Sequence, residues 1–233
     1  MSLLSIIQSV SEETGLGESP VTVIGNSDKY VKKLLSLLNK VGKELVSRHD
    51  WQVLQKEQTF TTDGTGSYTR AAIFTDGDFD RYINDTDWDR SNQRKMQLVT
   101  PPEWQVIQSS VSTTVGIVRY YRERGNSVFI DPDESGDTVV FEYVSNFWIT
   151  DSTGETSKGS FTADTDLVKF PEHLVELGLK YRLKAGEGLP AIVEKDEYER
   201  EIARYRGFET PKRNLGQNYN YQFTNLPDTG IGQ

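Results

Sequence analysis

VKKLLSLLNKVGKEL at residues 31–45, then SRHDW at 47–51, is where this chain changes character. In the first stretch Val31, Leu34, Leu38, Val41 and Leu45 fall at alternating steps of three and four, which places them on one face of an α-helix. Leu35 and Leu37 widen that stripe, while Lys32, Lys33, Lys40 and Lys43 lie mostly away from it. The alternation is coiled-coil-like but only two heptads long, so it reads as a buried bundle helix of about five or six turns. Ser27-Asp28 supply cap residues in front of it, and Trp51 ends the helical period.

Outward from this helix the chain is symmetrical in kind. Upstream, Leu3, Leu4, Ile6, Ile7 and Val10 form a first helix that Gly15-Leu16-Gly17 stops. Downstream, 53–60, 68–74, 79–83, 117–122, 127–130 and 138–149 are short runs rich in aromatic, Thr and Ile residues, set apart by turns such as Asp63-Gly64-Thr65-Gly66-Ser67. One short helix over 103–107, behind Pro101-Pro102, interrupts them. Helix returns at Pro171, where Leu174, Leu177, Gly178, Tyr181 and Ala185 share a face, and again after Pro190, where Ala191, Tyr198, Ile202 and Tyr205 align. The order predicts an α+β protein: a helical bundle built from N- and C-terminal helices (1–50 and 169–206), an inserted antiparallel β domain, sandwich- or barrel-like (51–168), and an extended C-terminal arm (207–233). Leu34, Leu38, Val41 and Leu45 are expected to pack on Leu177 and Tyr181 as the bundle core.

Composition removes whole classes of chemistry. With no Cys there are no disulfides, thiolate nucleophiles or cysteine-ligated metal sites, and two His, His49 and His173, leave little for an imidazole centre. The net charge of −9 opposes electrostatic wrapping of nucleic acid. Apolar residues make up only 35%, so the 25 aromatic rings (11 Tyr, 10 Phe, 4 Trp) must supply much of the buried area. No apolar run is long enough to span a membrane, and the opening MSLLSIIQSV lacks the basic n-region and cleavage site of a signal peptide.

Motifs that imitate a site fail on detail. Asp76-Gly77-Asp78-Phe79-Asp80-Arg81 starts like a calcium loop, but Arg81 and Asp87 stand where Gly and Glu are required. Asp85, Asp87 and Asp89 repeat the pattern and end on Arg90; turn and cap roles, some paired with Arg81 or Arg90, are expected for these carboxylates. Neither His lies near a nucleophile elbow, and no phosphate loop or dinucleotide fingerprint is present. No catalytic residue, metal or cofactor is therefore expected.

Four stretches, taken together, resemble the head-to-tail adaptor (connector) proteins of tailed bacteriophages, particularly short-tailed ones. They are Ile6-Ile7 through Gly15-Leu16-Gly17 to Val23-Ile24-Gly25-Asn26; Leu37 to Leu45 with His49-Asp50-Trp51 and Gln58 to Thr62; Asp78 to Thr86 with Trp88-Asp89-Arg90 and Pro101-Pro102-Glu103-Trp104; and Phe141 to Ser145, Trp148, Phe161 to Asp166 and Leu177 to Arg182. They cover about residues 6–206. The resemblance implies a non-enzymatic virion protein, made in the host bacterial cytoplasm, that forms a dodecameric homo-oligomeric ring beneath the portal protein. That ring would meet the tail nozzle or tail tube below and pass DNA through its lumen without specific binding. On that reading −9 per copy gives a channel wall that repels the phosphate backbone.

The stretch 207–233 falls outside the resemblance. It is rich in Gly and Asn yet carries Phe208, Tyr219, Tyr221 and Phe223, with Lys212 and Arg213 between them. Disordered tails are usually poor in aromatics, so these six residues are expected to anchor an arm on the portal or a neighbouring subunit. A competing reading is a tail-associated β module that binds a glycan or receptor, with Trp88, Trp104 or Trp148 stacking on sugar rings; its counterpart is that these Trp are core.

Overall fold

The computed structural model describes residues 2–109 and 118–209. It is a mixed α+β fold with six helices and a large curled sheet. The described residues group into two compact units, 2–55 with 144–209, and 56–143.

The first unit opens with α1 (Leu3–Thr14). Ser2 caps it by accepting from the Ser5 N–H, and Gly15 stops it in the left-handed region (φ 62°), where its N–H reaches the Ser11 carbonyl. The helix α2 (Lys29–Arg48) starts at Asp28, whose carboxylate accepts from the Tyr30 N–H at 2.8 Å. Its stripe of Val31, Leu34, Leu38, Val41 and Leu45 is buried throughout. The Trp51 indole N–H donates to the Leu45 carbonyl at 2.6 Å and so satisfies an orphan acceptor of the last turn. A single 3-10 turn, Gln52–Leu54, follows.

The second unit is built on an eight-stranded sheet. Its strands are β1 (Gln55–Thr61), β2 (Ser67–Thr69), β3 (Phe79–Tyr82), β4 (Trp88–Asp89), β5 (Arg94–Leu98), β6 (Arg119–Arg124), β7 (Ser127–Asp131) and β8 (Thr138–Ser145). The order is β1-β8-β4-β5-β6-β7-β2, with β3 also on β8. Two helices interrupt it, α3 (Arg70–Ile73) and α4 (Pro101–Ser109). The core is mostly aromatic: Phe74 lies 4.4 Å from Phe79 and 4.8 Å from Tyr143, and Phe141 meets Phe60, Tyr82 and Tyr121 within 6 Å.

Three sequence expectations need correction here. The run 68–74 is not one strand: Thr69 Oγ1 accepts from the Ala72 N–H and starts the turn α3, so the helix-forming Arg70-Ala71-Ala72 leaves the sheet. The sheet is not wholly antiparallel, because β5 and β6 pair in parallel with Met96 opposite Arg119. Parallel neighbours need a crossover, and α4 stands between them in sequence for that reason. Lastly, 138–149 breaks after Ser145, and the remainder opens a separate three-stranded sheet of β9 (Ile149–Thr150), β10 (Ser157–Lys158) and β11 (Leu167–Val168), in the order β10-β9-β11. Residues 144–168, expected in the insert, group with the helices.

The chain then forms α5 (Glu172–Gly186) and α6 (Ile192–Glu209). α5 packs against α1, α2 and α6 and is buried almost all round, through Leu174, Val175, Leu177, Gly178, Leu179 and Leu183. Ala185, expected on its buried face, is exposed. Tyr198 and Ile202 carry the buried side of α6. That helix runs to Glu209, so Gly207 and Phe208, expected to begin the arm, are helical. Glu209 is tied back to the 3-10 turn, its carboxylate accepting from the Gln52 N–H and its carbonyl from the Gln52 side chain. Among the described residues no helix is long and apolar enough to cross a membrane.

Candidate functional site

Of the carboxylates that imitated calcium loops, Asp76 and Asp85 are the turn residues expected, and three others are not. Asp78, Asp87 and Asp89 are buried in the sheet unit. Asp78 pairs with Lys56 at 2.6 Å and accepts from the Tyr143 hydroxyl at 2.8 Å. Asp89 accepts from Arg119 Nη1 at 2.9 Å and Arg94 Nε at 3.0 Å, and from the Asn92 backbone and side chain. Burial alone would raise the Asp89 pKa; the Asn92 and Arg94 hydrogen bonds and the charge of Arg119 outweigh it and hold the carboxyl below its ordinary range. Arg119, fully buried, also donates to the Pro132 carbonyl at 2.7 Å and pairs with Asp137 at 3.0 Å. The network draws together the turns at 63–67, 89–94 and 131–137, for Asp133 accepts from the Gly66 N–H and the Tyr68 hydroxyl. Nearer the surface, Arg81 pairs with Asp80, but Arg90 pairs with Glu57 rather than a neighbouring Asp.

Beside this network lies a cleft of about 630 Å³ lined in part by Asp85, Asp87, Lys95, Met96, Leu98 and Tyr121. The Tyr121 hydroxyl donates to Asp87 Oδ2 at 2.6 Å, while Asp87 Oδ1 has no hydrogen-bond partner. Burial pushes the Asp87 carboxyl up to about 6, against the opposing pull of the Tyr121 hydrogen bond and the Lys95 charge. A bound proton relieves the cost of an uncompensated buried charge.

A second cleft, about 470 Å³, sits between α4 and the outer face of the β6–β7 hairpin. Strand alternation builds it: Arg119 and Tyr121 turn inward, so Arg122 and Arg124 turn outward, with Phe129 registered opposite Arg122. Arg124 lies over the Phe129 ring at 4.6 Å, and Trp104 of α4 meets the same ring edge-on at 6.3 Å. Gln108 ties α4 to β7 through Asp131 at 2.6 Å.

The expected site residues divide sharply. Leu34, Leu38, Val41, Leu45 and Leu177 are buried, whereas Tyr181 is half-buried and stacks on Tyr198 at 6.4 Å. α5 comes close to α2 at Gly178, where an added Cβ would stand 2.8 Å from Val41 Cγ1. Phe208 is 68% exposed at the end of α6, while Lys212, Arg213, Tyr219, Tyr221 and Phe223 lie outside the described residues. Trp148 and Trp104 are buried, which removes two of the three rings proposed for glycan stacking. Residue-type reading missed the arginine cleft; the alternation in Arg119-Tyr120-Tyr121-Arg122-Glu123-Arg124 was its available signal. The exposed apolar residues Leu189, Ile192 and Val193, around the start of α6, were also passed over.

The mixed fold carries exposed apolar residues on its helical unit and a cationic cleft on its sheet unit, surfaces suited to contacts with other proteins. The chain belongs to the SU10 adaptor protein family, whose model matches residues 1–222. Its place is therefore in the virion, in association with portal and tail components. No curated protein matches the chain.

Proposed function

We propose that this protein is the head-to-tail adaptor of a short-tailed phage: twelve copies form a ring beneath the portal, join the capsid to the tail and continue the DNA channel. The observation that carries the proposal is the family match over residues 1–222, nearly the whole chain. Two physical features support it. A charge of −9 per copy, multiplied around a ring, lines a channel that a phosphate backbone passes without adhering. Exposed Ile192 (74%), Val193 (65%) and Leu189 (42%) offer apolar area for neighbours in an assembly.

In this reading helices from both ends of the chain form one bundle, and the segment beyond α6 is an arm. Lys212, Arg213, Tyr219, Tyr221 and Phe223 grip the portal, with Phe208 at the root of the arm. Aromatic anchors give large contact area at little rotamer cost, and the basic pair meets an acidic rim. The test is deletion of 210–233, which starts beyond Glu209 and so keeps the contacts of that residue with Gln52. The truncated protein should fold with an unchanged melt and fail to join portal rings in a co-sedimentation assay. Joining at full affinity would remove the arm from the proposal. Native mass measurement of full-length protein on portal rings tests the ring itself, and any stoichiometry other than twelve revises it.

A further inference from the structure

The cleft between α4 and the β6–β7 hairpin is chemically out of keeping with the rest of the chain. The sequence has nine more acidic than basic residues, yet the lining of this cleft contains two arginines, two glutamines and no carboxylate. Most cations of the sheet unit are committed, as in Lys56–Asp78, Arg70–Glu123, Arg90–Glu57 and Arg119–Asp89. Arg122, by contrast, makes no ion pair among the described residues, and Arg124 has the Phe129 ring alone. An arginine over an aromatic face keeps its guanidinium edge free, and that edge presents paired N–H donors suited to a carboxylate. Trp104 and Phe129 give the cleft a rigid apolar wall, and Gln105 and Thr65 add polar groups at its lining.

We propose that this cleft receives an acidic segment of a second copy of this chain, with Arg122 and Arg124 forking onto its carboxylates. Charge complementarity selects that occupant. Each copy presents exposed carboxylates whose side chains have no partner among the described residues, such as those of Glu18, Glu134 and Asp196. Glu18, Glu134 and Asp196 lie outside the lining of the cleft, so cleft and acid can meet in a head-to-tail contact, the kind that closes rings. The inference rests on the ring reading above and specifies one of its interfaces.

The experiment measures self-association by sedimentation over a salt series, for wild type and for Arg122→Gln/Arg124→Gln, both full-length. Wild type should assemble, with an apparent Kd that rises with salt. The double variant should keep the wild-type melt and near-ultraviolet circular dichroism, and its Kd should rise at least tenfold. Hexaglutamate should compete with wild-type assembly and should not bind the variant. Assembly of the variant at wild-type Kd overturns the cleft assignment while leaving the ring intact. A wild type that does not assemble, alone or on portal rings, overturns the ring reading and this occupant with it. Tight binding of single-stranded oligothymidylate that the variant loses, with self-association unchanged, reassigns the cleft to nucleic acid and overturns the proposal.

Discussion

Two residues show how single atoms set the limits of this structure. Gly42 lies on the buried side of α2 where the Trp148 ring passes, and a Cβ there would overlap the ring. Gly42→Ala should therefore destabilise the protein by about 1–3 kcal/mol through overpacking, despite the better helix propensity of Ala. A raised denaturant midpoint would show that the ring can step aside. Asp87 acts through protonation. Its folded pKa is about 6 against an ordinary 3.8, so the folded protein holds a proton that the unfolded chain releases. The contribution of this group is fully present below about pH 4 and is lost as pH rises through about 6. Asp87→Asn should remove that fall, so the stability difference between wild type and variant should change across pH 4–7. Parallel stability curves over this range would mean that Asp87 titrates in the ordinary way.

At the scale of elements, the two units are held by different physics. α2 and α5 meet through aliphatic side chains and a glycine, so Leu38→Ala should cost about 2–5 kcal/mol, read as a lowered denaturant midpoint. The turns of the sheet unit are joined by buried charge instead. Arg119→Met leaves Asp89 and Asp137 without their shared partner and should cost about 3–5 kcal/mol. Adding Asp89→Asn should recover part of that loss, because the buried carboxylate, left with Arg94 and Asn92, is then neutral; a strictly additive double variant would contradict the coupling.

For the whole molecule, each unit has its own core, one helical and built of aliphatic side chains around Trp51, Trp148 and Tyr198, the other sheet-based and rich in aromatic rings. Thermal unfolding should then depart from a single two-state transition, with a calorimetric enthalpy larger than the van't Hoff value. Equal enthalpies would mean that the units unfold as one. The lean apolar composition fits this division, since aromatic rings and buried ion pairs share the interior of the sheet unit with its aliphatic residues.

The sequence by itself determined the long helices, because period and cap are local: Val31 to Leu45 and Asp28 specify α2 whatever packs upon it, whereas the single turn α3 read as strand. It also determined what the chain cannot do by thiol or imidazole chemistry, since those atoms are scarce or absent. The sheet was only half legible. Strands β4 and β5 are two and five residues long and carry Asp, Arg and Lys, and Met96 with Leu98 is too short an alternation to announce them. They exist because β8 and β6 offer backbone partners from far along the chain. The same distance hid the role of Asp89, which looks like a turn residue beside Arg90 and becomes a buried partner only when β6 brings Arg119 to it. The arginine cleft was hidden for the converse reason: the outward face of β6 can be counted in sequence, but whether Arg122 finds a carboxylate there depends on every element that folds around it.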